Sequence, residues 1–141
     1  MNKKYLVPLL ACAAALLAGF AMWPSARNGF VWDDSGYVSA NPQVYDLSVK
    51  GVTRIFSETH LGLYKPVTIL SLAVNHHFSG NNPRAYHITN IVLHAVNTAL
   101  VFALVFMLLR NEWAAFLCAA LFGVHPMHVE SVAWVCERKD M

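Results

Sequence analysis

The chain has 141 residues, of which 57% are hydrophobic and only 13% charged, with a formal net charge of +2 and a mean hydropathy of +0.44. A soluble domain of this length is nearer half apolar and a quarter charged, so the composition belongs to the membrane class. The Lys and Arg residues are scattered, which excludes the basic footprint of a nucleic-acid binder, and the three cysteines, Cys12, Cys118 and Cys136, lack metal-type spacing.

Lys3 and Lys4 precede an apolar run from Tyr5 to Trp23, about 28 Å long at helical rise and enough to cross a hydrocarbon core. A cleaved signal peptide has a shorter apolar region and a small-residue cleavage site. Neither Pro24-Ser25-Ala26 nor Leu9-Leu10-Ala11-Cys12 makes a good one. The run reads as an uncleaved signal anchor, a first transmembrane helix over 5–24.

A mixed region, 25–85, follows, punctuated by the turn formers Asn28-Gly29, Asn41-Pro42 and Ser79-Gly80-Asn81-Asn82-Pro83. Within it Val67 to Phe78 is apolar with helical spacing but too short to span. Thr68, Ser71 and Asn75 fall on one stripe, which predicts a short amphipathic helix at the membrane interface or the bundle mouth. A second transmembrane helix is expected over 86–109. After the polar turn Arg110-Asn111-Glu112 a third begins at Trp113. It either stops near residue 125, at His125-Pro126, or continues, kinked at Pro126, to about 135.

The fold class is therefore an all-α membrane protein with about three transmembrane helices and a long first loop. Lys3, Lys4, the amino terminus and Arg110 favour one cytoplasmic side. The five cationic residues of the first loop argue weakly the other way, but loops of that length translocate largely regardless of charge. The first loop is then extracytoplasmic and, with a short third helix, so is the segment from His125 to Asp140. Glu137-Arg138-Lys139-Asp140, directly before Met141, does not read as a domain end, which predicts a piece of something longer.

His87, Asn90, His94 and Asn97 are spaced to share one face of the second helix. Such a stripe cannot face hydrocarbon. Interhelical hydrogen bonding is its ordinary use and ligand contact the rarer one. His125 and His128 lie close to Glu130, but this is not the H-E-x-x-H pattern and Pro126 interrupts it. They read as cavity lining before a metal site. His87 and His94, about 10 Å apart along a helix, cannot share one ion without a bend.

Asp33 and Asp34 are adjacent. In an extended segment they point to opposite faces, so one carboxylate can face a cavity while the other ties down the loop. Taken alone the pair would be a solvated acidic turn. It gains weight from lying beyond one apolar stretch, on the same predicted side as His125-Pro126-Met127-His128-Val129-Glu130 beyond another.

The ordered set Gly-Phe-Val-Trp-Asp-Asp (29–34), Tyr64-Lys65-Pro66, Asn75-His76-His77, Tyr86-His87-Ile88-Thr89-Asn90, Leu93-His94-Ala95-Val96-Asn97, Leu121 to Glu130 and Glu137-Arg138-Lys139-Asp140 covers nearly the whole chain. It resembles the N-terminal part of the transmembrane tetratricopeptide-repeat O-mannosyltransferase-like proteins of the GT-C glycosyltransferase superfamily. The resemblance implies a partial GT-C-type bundle, without the downstream helices and repeat array, in a bacterial inner membrane. It implies that Asp33 and Asp34 are catalytic, with a polyprenyl-phosphate-linked sugar as donor and a hydroxyl, such as a protein Ser or Thr, as acceptor.

The chemistry agrees with the residue types. The incoming hydroxyl needs a base, for which Asp34 is preferred over Asp33, and the leaving phosphate needs positive charge or a metal. Lys65, His87, His94, His125, His128, Glu130 and Arg138 are the candidates for donor-phosphate contact or cavity lining. No residue is assigned as a metal ligand, and the need for a divalent metal stays open. The isolated 141 residues are not expected to be active. The alternative is a non-catalytic membrane module that anchors a repeat scaffold, which carboxylates packed on backbone amides would favour.

Overall fold

The computed structural model describes residues 3–141, Lys3 by its backbone alone. Met1, whose amino group entered the charge argument, and the Lys3 side chain lie outside the described residues. The described residues form six α-helices in order: α1 (Lys3–Met22), α2 (Val49–Ser57), α3 (Pro66–Ser79), α4 (Pro83–Leu109), α5 (Glu112–Val124) and α6 (His128–Ala133). Tight 3-10 or π turns fill much of the connections, and there is no strand among the described residues.

Among the described residues two helices are long and apolar enough to cross a membrane, α1 continued through its terminal turn to Arg27, and α4. The third expected span is shorter. α5 has 13 residues, about 20 Å at helical rise and less than a hydrocarbon core. It stops at Val124 because His125 precedes Pro126 and adopts extended backbone (ψ 130°). The alternative of a kinked helix running to 135 is not what forms: residues 128–133 make a separate short helix, and a 3-10 turn (Val135–Asp140) follows.

α1, α4 and α5 pack side by side along stripes of period four. α1 buries Leu10, Ala14, Ala18 and Met22, α5 buries Ala115, Ala119 and Gly123, and α4 buries Asn90, His94, Thr98 and Phe102. In lipid no hydrophobic force drives helices together, so close approach of small residues and van der Waals contact must do it. The approach is tightest at Gly123. A Cβ there would lie 2.7 Å from the Ala18 Cβ and 3.1 Å from the Thr98 Cγ2. The turn between α4 and α5 is short because Arg110 takes left-handed backbone (φ +54°) and Asn111 Oδ1 accepts the Trp113 and Ala114 N–H groups.

Beyond Gly123 the first half of α4 extends past α5 but stays beside α1, whose terminal turn (Trp23–Arg27) packs along it. The first loop and the segment after α5 fold around it as a second layer. α3 lies there, at the mouth of the bundle. Its predicted polar stripe turns inward: Thr68 is buried, and Ser71 and Asn75 face the last turn of the chain. Its apolar residues Ile69, Leu72 and Ala73 join Tyr37, Val38, Val44, Ile55, Val135 and Cys136 in one core. The mouth thus has its own small hydrophobic core, built from the first loop and the C-terminal segment.

Candidate active site at the mouth of the bundle

The acidic pair does not sit in extended backbone. Residues Val31 to Asp34 form a tight turn, with the Asp34 N–H donating to Val31 O (2.9 Å) and the Val31 N–H donating to Asp34 Oδ2 (3.0 Å). A single turn of π-helix (Ser35–Ser39) follows. Trp32 pays for this turn with left-handed backbone, φ +46°, a conformation costing a bulky residue about 1–2 kcal/mol. The two carboxylates do differ, but through turn geometry and not through strand alternation.

Asp34 is fully buried. Its Oδ1 accepts the N–H of Cys136 at 2.8 Å, a contact between positions 102 apart. Both of its oxygens are therefore held by backbone amides, and it fastens the first loop to the C-terminal segment. Burial, and then the charge and hydrogen bonding of Asp34, push the Cys136 thiol up to about 12, so it stays protonated. Asp33 is exposed, and its side chain makes no hydrogen bond to another described residue.

Arg138, expected at a donor phosphate, is only 5% exposed. Its guanidinium donates to Asn90 Oδ1 (2.7 Å), Asn75 Oδ1 (2.8 Å), Ser71 Oγ (3.1 Å) and Tyr86 O (3.2 Å). All four acceptors are neutral, and burial pulls its pKa down to about 10. It remains a cation at neutral pH, inside a clamp that joins α3, α4 and the last turn.

The polar stripe of α4 also works through backbone carbonyls. His87 Nε2 lies 3.4 Å from Gly29 O, and Asn90 Nδ2 donates to Val132 O at 3.2 Å. His94 Nε2 lies 2.9 Å from Gly123 O, and Asn97 Nδ2 donates to Met141 O at 3.4 Å. His87, Asn90 and His94 are buried. His87 Nδ1 and Trp134 Nε1 are buried without a protein partner among the described residues.

The remaining candidates separate into two clefts. One, about 490 Å³, has a polar end made by His94, Asn97, His128, Ser131 and Asp140 and an apolar end made by Leu100, Val101 and Leu104. Here the His128 ring lies 4.3 Å from Phe122 and 5.2 Å from His94. Burial first, and the neighbouring His94 and His125, hold the His128 pKa below its usual value. The other cleft, about 430 Å³, is lined by Val31, Trp32, Val129, Glu130, Ala133 and Trp134. Trp32, 79% exposed, meets Trp134 edge-on at 4.9 Å there.

His125 lines neither cleft; its Nδ1 accepts the Met127 N–H. Lys65 Nζ lies 3.3 Å from the Tyr37 hydroxyl and over the Tyr37 ring. The expected convergence of an aspartate with His125, His128 and Glu130 in one cavity does not form. His128 and Glu130 belong to different clefts, and Asp33 lines neither, although Trp32 before it lines the second. No group of three or more His, Cys, Asp or Glu side chains among the described residues could hold a metal ion.

The chain is 32% identical over all its length to "Protein O-mannosyl-transferase Tmtc1" of Drosophila melanogaster. It is 36% identical over 96% of its length to "Protein O-mannosyl-transferase TMTC1" of Mus musculus. Against "Protein O-mannosyl-transferase Tmtc2" of Drosophila melanogaster it is 35% identical over 80%. The chain belongs to this O-mannosyltransferase-like family. It spans only 17%, 16% and 13% of those three proteins respectively. No family model and no solved structure matches it.

For this O-mannosyltransferase-like chain, sequence reasoning marked Asp34 and Arg138 but missed what they do. Cys136 stands in the sequence only as a cysteine without metal-type spacing, yet its backbone amide anchors Asp34. Ser71 and Asn75 were recognised as a stripe without a partner, and that partner is Arg138. An inward-facing polar stripe on a mouth helix and an Arg in a C-terminal run were the two halves of a signal. Nothing in their spacing, 63 and 67 positions from Arg138, links them.

Proposed function

We propose that the chain supplies the acidic first-loop part of a membrane glycosyltransferase site, moving a sugar from a polyprenyl-phosphate donor to a hydroxyl acceptor, a protein Ser or Thr in particular. The likeness to protein O-mannosyl-transferases supports the reaction class. The observation that carries the residue assignment is the division of labour in the acidic pair: Asp34 has both oxygens committed to backbone amides, whereas Asp33 is exposed beside Trp32. This reverses the preference for Asp34 drawn from the sequence.

In this reading Asp33 is the base. It takes the proton of the acceptor hydroxyl as that oxygen bonds to the anomeric carbon. The bond from that carbon to the phosphate oxygen breaks, and its electron pair leaves with the phosphate. Asp34 is a positioning residue that fixes the strained Trp32 turn and, with it, the direction of Asp33. The leaving phosphate needs positive charge. Lys65, half-buried against the Tyr37 hydroxyl and ring, is less enclosed than Arg138, whereas Lys139 is already paired with Glu137 and Asp140. The protein is multi-pass in a bacterial inner membrane, with the mouth layer outside.

A non-catalytic anchor for a repeat scaffold is the second reading. The enclosed Asp34 and Arg138 favour it, because both side chains are spent on structure. A chimera separates the two. The chain replaces its matched segment in the Drosophila melanogaster Tmtc1 protein, and transfer of mannose from a polyprenyl-phosphate donor is measured in membranes. Transfer that survives replacement of both aspartates by asparagine would leave the scaffold reading.

A further inference from the structure

Two clefts border α1, its terminal turn and α4, and meet at Trp23. One, about 450 Å³, is polar and is bordered by Arg27, Asn28, Asn82 and Arg84. The other, about 440 Å³, is an apolar groove between α1 and α4, bordered by Ala15, Gly19, Phe20 and Ala95. Trp23 lines both. Arg27 and Arg84 are exposed, and neither guanidinium makes a hydrogen bond or ion pair with another described residue. The first turn of α4 is already capped, with Asn82 Oδ1 accepting the Arg84 N–H. The positive charge of the cleft therefore comes from the two side chains.

We propose that the paired clefts are one binding site for an anionic membrane phospholipid. The phosphate lies between Arg27 and Arg84, and one acyl chain fills the groove below. A guanidinium matches phosphate geometry with paired N–H donors. Trp23 sits where a side chain with an apolar body and a polar N–H belongs, between headgroup and chain. Small residues on both walls keep the groove open: Gly19 and Ala15 on α1, Ala95 on α4. A zwitterionic lipid brings its own cation against the arginines, and a free phosphate leaves the groove unfilled. The proposal rests on α1 and α4 crossing the membrane and is independent of sugar transfer.

Native mass spectrometry of the full chain in detergent, with dioleoyl phosphatidylglycerol and dioleoyl phosphatidylcholine as probes, tests it. Two arginines near a headgroup predict a preference of about tenfold or more for the glycerol lipid. Arg27→Gln with Arg84→Gln should reduce that preference to about twofold or less, and the paired Lys variant should keep most of it. Ala95→Leu should lower binding of both lipids by narrowing the groove. Circular dichroism and resistance to alkaline extraction check that each variant is helical and inserted. A preference that survives the double Gln variant in an inserted, helical chain overturns the site. Displacement of phosphatidylglycerol by equimolar inorganic phosphate, by an acidic peptide, or preferentially by a polyprenyl phosphate overturns the phospholipid assignment. Failure of the chain to insert removes the membrane premise as well, whereas loss of mannose transfer alone leaves this site untouched.

Discussion

The seam between α1, α4 and α5 and the layer at the bundle mouth are held by opposite means. In the seam, Ala14, Ala18, Ala115, Ala119 and Gly123 contribute almost no chemistry, only closeness. At the mouth, one buried guanidinium and one buried carboxylate organise the surrounding backbone. The seam depends on shape and responds to volume. The mouth depends on matched donors and acceptors and responds to the loss of a single group. Polar groups that fix a loop also set the position of its neighbours, and the roles proposed for Asp34 and Asp33 rest on that.

The sharpest way to break the comparison is volume in the seam. Gly123→Leu has no room beside Ala18 and Thr98 and also displaces the carbonyl facing His94. It should cost about 3 kcal/mol, measured as the shift in SDS-induced unfolding from mixed micelles. A loss within a few tenths of a kcal/mol would show that the helices are not so close. At the mouth, Arg138→Met leaves Asn75, Asn90 and the Tyr86 carbonyl without their donor, while ending the burial of a cation. The net loss should be about 2 kcal/mol. Faster proteolysis of the first loop should accompany it, with packing of α1 against α4 unchanged. Arg138→Lys should rescue little, because an ammonium cannot make the same fork of bonds.

The smallest effect comes from pH. Burial and the nearby His94 and His125 disfavour the charged form of His128 in the folded protein. As pH falls below 6.5, the ordinary His value, the unfolded chain therefore takes up a proton that the folded one resists. Stability at the mouth should decline with acidification, because the unfolded state binds more protons there. His128→Phe should flatten that decline, measured as thermal unfolding between about pH 7 and pH 5.

The seam was largely legible in the sequence, because helix period and hydropathy are local. α1, α4 and the amphipathic α3 fall close to their expected places, and on the polar face of α4 His87, Asn90 and His94 are buried and Asn97 half-buried. The end of α5 at Pro126 was left between two alternatives, since a proline either breaks or kinks a helix according to its neighbours. The site was legible only as a set of residue types. Which aspartate turns inward depends on the Trp32 turn and on Cys136, contacts that no local pattern encodes. Arg138 was read as a phosphate ligand because its charge was visible and its four neutral partners on α3 and α4 were not.

The most direct test of the catalytic assignment compares the two aspartates singly in the Tmtc1 chimera, by the rate of mannose transfer from a polyprenyl-phosphate donor. Asp33→Asn should lower transfer by about 10²–10⁴-fold, the usual contribution of a general base, without changing thermal stability. Asp34→Asn should instead lower stability by about 1–2 kcal/mol through its weakened amide contacts, and cost far less transfer at temperatures where the fold is intact. Unchanged transfer with Asp33→Asn, in a chimera that inserts and folds, would contradict the account.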